Sequence, residues 1–237
     1  MNNRSRGKNT GDEHLFASEK QIEKLKNAVQ DVKYLLSHGY AEKASSELAG
    51  NQYRLKTRQI RALRAASASE GQILVRKTRE LHFSEVKDRI IFLDGFNILI
   101  LLESILSGAY VFQGLDGCCR DLSGVHGTYK RVQQTSEALD CIGRFFQKFK
   151  PEKLVWIFDQ PVSNSGRIKE IVLDFARQHS YDWEVNLEFN PDQFLVDHAE
   201  IVVSSDAWIL DHCRHWFNLA DCIIQDQKIP AHLITLL

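Results

Sequence analysis

Three aspartates each stand at the end of a short apolar stretch of the chain. They are Asp94, Asp159 and Asp206, and the residues before them are rich in Ile, Val, Leu and Phe. Such stretches are typical of buried parallel strands, whose carboxyl ends meet at the ligand-binding edge of a sheet. Carboxylates gathered there repel one another unless a cation lies between them, and hard oxygen ligands suit Mg²⁺ or Mn²⁺. The spacing therefore predicts a divalent metal site formed by the three aspartates.

Other roles for these acids remain open from the residues alone. Asp94 could simply cap the helix that follows it, because aspartate is a favoured N-cap residue. The recurrence of the pattern at three strand ends favours a metal site over capping. Asp192 follows a fourth predicted strand, over residues 183–189, and is a candidate fourth ligand, with Asp197 as a less favoured substitute.

The elements that would position these residues alternate between strands and helices. Amphipathic helices are predicted over residues 135–150 and 167–179, between the apolar strands. This alternation predicts an α/β fold, a three-layer α/β/α domain with a mainly parallel sheet. The preceding part has helical periodicity, so we predict a disordered polar tail over residues 1–14, a small basic all-α domain over 15–84, and the α/β domain over 85–237.

Three further segments interrupt this regular alternation. Residues 108–130 are rich in glycine and are predicted to form a long loop. This loop either faces the substrate or is a surface loop without a functional role. His126 in this loop is the histidine to test as a catalytic helper. Residues 72–76 and 220–224 are predicted as two short strands.

Charge is distributed unevenly although the formal net charge is only −1. Residues 1–90 carry 18 Lys and Arg against 11 Asp and Glu, and residues 91–237 carry 12 against 20. A basic half joined to an acidic half is consistent with one region that binds nucleic acid and a second region that binds a metal ion. Two oppositely charged domains that dock on each other would give the same pattern.

Five cations are concentrated in and just before the third predicted helix. They are Arg54, Lys56, Arg58, Arg61 and Arg64. Arg54, Arg58 and Arg61 are three and four positions apart, so they would share one helical face. Such a face can follow a phosphate backbone. A solvated surface, or pairing with acids of the second domain, would explain the same residues.

Composition and cysteine usage narrow the class of protein. Hydrophobic residues make up 43% and charged residues 26% of the 237 positions, as in ordinary globular proteins. No apolar run approaches the roughly 20 residues of a membrane span, and the N-terminus lacks a signal-peptide core. The five cysteines have no C-x-x-C spacing, which argues against a disulfide framework or a zinc ribbon. We expect a cytoplasmic protein with no membrane partner, and a homo-oligomer is an open alternative.

The strand ends carry short motifs that resemble those of PIN-like and NYN-type nucleases. The motifs are Asp-Gly-Phe-Asn at 94–97, Phe-Asp at 158–159 and Ser-Ser-Asp at 204–206, and the resemblance covers residues 88–226. It implies a three-layer α/β/α domain that gathers carboxylates around Mg²⁺ or Mn²⁺ and acts on RNA. The N-terminal helices contain the stretches Tyr-Leu-Leu-Ser-His-Gly-Tyr at 34–40 and Asn-Gln-Tyr-Arg-Leu at 51–55. With these stretches they resemble a family of uncharacterised helical domains that accompanies such domains.

The resemblance also implies roles for individual residues. Asp94, Asp159 and Asp206 would be metal ligands and part of the catalytic site. Asn97 would orient the first of them or a substrate phosphate, and Asp192 is a weaker match for the additional acid. The chain departs from common members in its long glycine-rich loop and in the short distance between Asp192 and Asp206.

Three functions follow from these residues as competing hypotheses. The first is a metal-dependent ribonuclease that hydrolyses phosphodiesters. The second is a catalytically inactive PIN-like protein that binds nucleic acid or acts as a scaffold. The third, a phosphatase that forms an aspartyl-phosphate, would want an acid two residues after the nucleophile, and position 96 is Phe.

Overall fold

The computed structural model describes residues 6–123 and 129–237. His126 lies outside the described residues. The helices, in chain order, are α1 (Asp12–Phe16), α2 (Glu19–Ser37), α3 (Glu42–Gln52), α4 (Thr57–Ala66), α5 (Glu70–Arg79), α6 (Gly95–Leu106), α7 (Thr135–Phe149), α8 (Ser165–His179), α9 (Pro191–His198), α10 (Ala207–His212) and α11 (Leu219–Gln227). None of the helices in these two ranges has the length and apolar composition that a membrane span requires.

The strands form two sheets. The strands, in chain order, are β1 (Glu80–Leu81), β2 (Ile90–Asp94), β3 (Tyr110–Gln113), β4 (Cys119–Arg120), β5 (Lys153–Asp159), β6 (Trp183–Glu188), β7 (Ile201–Val203), β8 (His215–Phe217) and β9 (His232–Thr235). The larger sheet has the order β1-β8-β7-β2-β5-β6. All five of its strand pairs are parallel.

Strand β2 lies at the centre of the larger sheet, between β7 and β5. Leu93 pairs in register with Val203, and Asp94 pairs with Ile157. The carboxyl ends of β2, β5 and β7 are therefore neighbours at one edge. This arrangement confirms the predicted α/β fold with a mainly parallel sheet.

Helices cover both faces of this sheet. Leu93, Trp156 and Val203 point to one face, where α6, α7, α8 and α11 pack against them. Val155 and Val202 point to the other face, under α9 and α10. Both faces are apolar because each is covered, as expected for a parallel sheet. The predicted three-layer α/β/α architecture is confirmed.

The N-terminal helices surround a second core that they share with the smaller sheet. This sheet has the order β4-β3-β9, with β3 antiparallel to β4 and parallel to β9. Phe16, Phe112 and Ile234 are buried together with residues of α2 and α4. The chain preceding the larger sheet is helical, as predicted. Strand β1 pairs with β8, however, so the larger sheet starts before the predicted boundary at residue 85.

The predicted disordered tail is wrong for its last residues. Residues 12–14 belong to α1, and Arg58 donates to both carboxylate oxygens of Asp12. Arg6 forms an ion pair with the buried Glu103, 2.8 Å between Nε and Oε2. These partners lie far along the chain, so the polar composition of the segment did not indicate them.

The three irregular segments also differ from their predicted forms. Residues 72–76 lie within α5, because Ser69 and Gln72 form a capping box that starts a helix there. Residues 220–224 lie within α11 rather than in a strand. Residues 108–130 contain β3 and β4, since β3 pairs with β9 at the far end of the chain.

Candidate carboxylate site at the sheet edge

Asp94 ends the central strand and is nearly buried, with 6% of its surface exposed. It occupies the N-cap position of α6, but its side chain makes no capping hydrogen bond within the described first turn of that helix. Its Oδ2 instead accepts a hydrogen bond from Ser204 Oγ at 2.7 Å. Capping alone therefore does not account for this carboxylate.

Gly95 allows the chain to turn directly from β2 into α6. A Cβ atom built at this position would lie 2.5 Å from the Phe158 ring and 2.8 Å from the Ile157 carbonyl oxygen. Strand β5 thus passes too close for any side chain. The close approach holds Asp94 at the sheet edge beside the end of β5.

Asp206 follows β7 and caps the next helix. Its Oδ1 accepts hydrogen bonds from the backbone N–H groups of Trp208 and Ile209, at 2.8 and 3.1 Å. The Ser204 hydroxyl accepts from the Asp206 N–H at 3.0 Å while it donates to Asp94. Ser204 therefore links the two acids. In the sequence, Ser204 is visible only as part of the Ser-Ser-Asp motif, which does not indicate this role.

Asp159 and Asp192 complete the set of acids at this edge. Asp159 ends β5, which pairs with β2. Asp192 lies in the first turn of α9, whose N-terminus is capped by Asn190 accepting from the Gln193 N–H at 3.3 Å. Helix α9 contacts β2, β5 and β6, and its first turn comes directly after the end of β6. Asp192 therefore lies over the same strands that deliver Asp94 and Asp159.

The four acids interact electrostatically. Burial raises the pKa of Asp94 to about 8; the Ser204 hydrogen bond opposes the shift, and the charges of Asp192, Asp206 and Asp159 add to it. The pKa of Asp192 is raised by burial and then by the charges of Asp206 and Asp159, and burial raises the pKa of Asp159. The structure thus brings the four predicted acids into one field of negative charge.

The donor set suits a hard divalent cation. Across residues 6–123 and 129–237, no three His, Cys, Asp or Glu side chains are oriented to hold a metal ion together. Mg²⁺, however, is usually bound through one or two carboxylates and keeps several water ligands. Asp94 and one other of these acids would offer carboxylate oxygens, which favour Mg²⁺ or Mn²⁺ over softer metals.

Asn97, predicted to orient Asp94 or a substrate phosphate, contacts Ser205 through its amide oxygen. Its Oδ1 accepts hydrogen bonds from the backbone N–H and the hydroxyl of Ser205, both at 2.8 Å. The side chain therefore fixes the loop between β7 and α10.

A buried ion network, which the sequence did not indicate, lies behind the loop that carries Ser205. Arg120 donates to the Ser205 carbonyl oxygen at 2.7 Å and to both carboxylate oxygens of Asp116. Arg76 bridges Asp116 and Asp211, with both ion pairs at 2.7 Å. Burial acts to raise the pKa of Asp116, but the guanidinium groups of Arg120 and then Arg76 hold it below its usual range.

A cleft of about 390 Å³ separates the N-terminal helices from the carboxylate edge. One wall includes Arg64 of α4 and Gln72 of α5, and the other includes Asn97, Ser205 and Asp206. The predicted metal ligand Asp206 therefore opens onto a groove with a cation on its opposite side.

The five predicted phosphate-binding cations do not form one free surface. Arg58 is committed to α1, and an Arg61 guanidinium nitrogen donates to the Leu122 carbonyl oxygen at 2.9 Å. Arg64 lines the cleft and lies 3.5 Å from Glu42. The remaining two, Arg54 and Lys56, are exposed outside the residues that line the cleft.

Fold and site together define an α/β protein with four acids at the carboxyl edge of a parallel sheet. Residues 83–222 match the family described as "Domain of unknown function (DUF5616)", and the chain belongs to that family. Residues 24–79 match the family described as "Protein of unknown function (DUF434)". A relative from Methanocaldococcus jannaschii, "Uncharacterized protein MJ0935", is 25% identical over 186 residues, which cover 78% of this chain and 88% of the relative. No solved structure matches the chain.

Proposed function

We propose that this protein is a metal-dependent nuclease that hydrolyses phosphodiester bonds of RNA. The observation that carries the proposal is the placement of Asp94, Asp159, Asp192 and Asp206 along the carboxyl edge of one parallel sheet. Ligands of open α/β sheets bind at that edge. The PIN-like and NYN-type motifs at the same strand ends support the proposal, and RNA as the substrate rests on that resemblance.

The proposed roles follow from the contacts of each side chain. Asp94 and a neighbouring aspartate would hold Mg²⁺ or Mn²⁺, which supplies water activation and charge stabilisation when bound. Ser204 holds one oxygen of Asp94 by its hydroxyl and so sets the direction of the carboxylate. Asn97 and Ser205 hold the loop that leads to Asp206. These hydrogen bonds keep the acids in place before substrate arrives.

The cleft would bring the proposed substrate to Asp206, the member of the four acids that lines it. A strand lying in it would pass between Arg64 on the helical wall and Asp206 on the sheet edge. Arg64 would contact a phosphate without reading a base, because backbone contacts position rather than specify. Arg58 and Arg61 keep their contacts within the protein in this proposal.

A cleavage assay tests the proposed function. Single-stranded RNA incubated with Mn²⁺ should be cut by the wild-type chain and not by Asp94→Asn, which removes the charge and keeps the shape. Asp182→Asn is the matched control, because Asp182 is exposed and precedes β6 at the opposite edge of the sheet. Equal cleavage by wild type and Asp94→Asn would refute the site.

A catalytically inactive nucleic-acid-binding protein is the second candidate. It is favoured by the finding that no three potential ligands in the described ranges converge as the side chains lie. Such a protein would bind RNA in the cleft with the same affinity with and without Mn²⁺. The phosphatase hypothesis has less support, because Phe96 occupies the place of the second acid and packs against Phe158 and Tyr129.

A further inference from the structure

A cationic cavity lies at the start of α8, on the opposite side of the sheet from α9 and α10. Its volume is about 290 Å³. Lys130, Arg131, Asn164 and Arg167 supply its polar lining, Ile168 belongs to its apolar lining, and none of its lining residues within 6–123 and 129–237 is acidic. Three positive charges around so small a space favour an anionic occupant.

The cations have few partners within the protein. Among the described residues, Lys130 and Arg167 take part in no ion pair, and Arg131 donates to the Ser136 hydroxyl at 2.9 Å. All three are exposed at the cavity mouth. They are therefore available to an incoming anion, unlike Arg58.

The two walls of the cavity are fixed to each other. The Tyr129 carbonyl oxygen accepts from Asn164 Nδ2 at 2.9 Å, and the Tyr129 N–H donates to the Ser163 carbonyl oxygen at 3.2 Å. On the other side of the segment, an Arg6 guanidinium nitrogen donates to the Lys130 carbonyl oxygen at 2.7 Å. The backbone that carries Lys130 and Arg131 is thus held against the start of α8 without a ligand.

The cavity also lies next to the end of β5. The Val162 N–H donates to the Asp159 carbonyl oxygen at 3.3 Å, and the Ser165 N–H donates to the Val162 carbonyl oxygen at 3.0 Å. These two tight turns lead from Asp159 directly to the first turn of α8. Asn164, at the N-cap, has a φ of 73° and makes no side-chain cap to the described first turn. The N–H groups of that turn add to the positive potential of the cavity.

We propose that this cavity binds a phosphate group of the RNA strand that the carboxylates act on. The inference rests on the proposed function, since it takes RNA as the ligand. A strand lying across the end of β5 would run from the acids at the sheet edge to the cavity beside α8. The bound phosphate is either an internal one next to the cleaved linkage or the 5′-terminal phosphate of the strand.

Fluorescence anisotropy with RNA, in chelator and therefore without cleavage, tests the proposal. Arg131→Gln combined with Arg167→Gln should weaken binding about tenfold, the loss expected for charge-assisted hydrogen bonds. The slope of log affinity against log salt should fall by about 1 for each cation removed. The control removes two other cations of α8, Lys169→Gln with Arg177→Gln, and should change affinity by less than about twofold.

Two otherwise identical RNAs, with and without a 5′-phosphate, distinguish binding of the 5′-terminal phosphate from binding of an internal phosphate. A terminal phosphate in the cavity predicts that the wild type prefers the phosphorylated RNA and that the double variant loses this preference. An internal phosphate predicts equal binding of both RNAs by the wild type and an equal loss in the variant. Unchanged affinity and salt slope in the variant would overturn the proposal. If the double variant loses binding but the wild-type chain does not cleave RNA with Mn²⁺, the nuclease function is refuted and the phosphate site is retained.

Discussion

Asp94 is the residue at which burial and charge oppose ionisation most clearly. It is almost completely buried, and it lies in the electrostatic field of three other aspartates. Its pKa is raised from 3.8 to about 8. The hydrogen bond from Ser204 favours the ionised form but does not offset the other contributions. A divalent cation would relieve both the desolvation and the repulsion, which is why this residue is central to the proposed site.

This pKa makes stability depend on pH in a defined direction. Between 3.8 and about 8, folded Asp94 retains a proton that the unfolded chain releases. Because the folded state binds more protons there, the free energy of unfolding should fall as the pH rises through that range. One pKa unit corresponds to about 1.4 kcal/mol, so we expect the wild type to lose at least about 1.4 kcal/mol more than Asp94→Asn.

Urea unfolding in the presence of chelator, from about pH 5 to about pH 9, measures this difference. Asp182→Asn should follow the wild type, because Asp182 is exposed at the opposite sheet edge. Parallel stability curves for wild type and Asp94→Asn would show that Asp94 is already ionised at low pH.

At the scale of elements, the turn from β2 to α6 has no room for a side chain. Gly95→Ala places a methyl group against Phe158 and the Ile157 carbonyl oxygen. Either β5 or the turn from β2 to α6 must therefore shift. We expect a loss of about 1–3 kcal/mol in unfolding free energy, as for other overpacked positions. Gly71→Ala in α5 is the control, because it meets open space and should stabilise the helix by about 0.5–1 kcal/mol. Equal stability of the two variants would refute the close approach.

The buried network joins α5, the β3–β4 turn and the loop before α10. Asp116→Ala would leave Arg76 and Arg120 buried without their shared carboxylate. Removing one partner of a buried ion pair costs about 3–5 kcal/mol, whereas an exposed pair contributes about 1 kcal/mol or less. Urea unfolding should therefore separate Asp116→Ala from Asp174→Ala, whose partner Arg177 is exposed. Similar losses in the two variants would contradict the importance of the network.

Sequence patterns predicted some elements because their signals are local. The strand ending at Asp94 and the amphipathic α7 are examples, since apolar runs and helical periodicity need only neighbouring residues. Strand β3 was not predicted, because its parallel partner β9 lies at the far end of the chain. Among site residues, the four acids follow from strand-end placement, whereas Arg120 reaches Ser205 across 85 positions and carries no local signal.

At the scale of the whole molecule, the N-terminal helices form the second wall of the cleft. Arg64 is the predicted phosphate-binding cation that lines the cleft together with Asp206. We expect Arg64→Gln to weaken RNA binding and to reduce the salt slope by about 1. Arg54→Gln should have a smaller effect, because Arg54 does not line the cleft. Anisotropy titrations at several salt concentrations compare the two, and a larger effect of Arg54→Gln would relocate the binding surface.

The central claim is that the acids at the sheet edge hold a divalent cation. Calorimetric titration of Mn²⁺ into the wild-type chain and into Asp94→Asn combined with Asp206→Asn tests it most directly, because the readout does not depend on finding the substrate. We predict binding to the wild type that is lost in the double variant and retained in Asp182→Asn. No binding to the wild type, with or without RNA present, or equal binding to the double variant, would contradict the metal site.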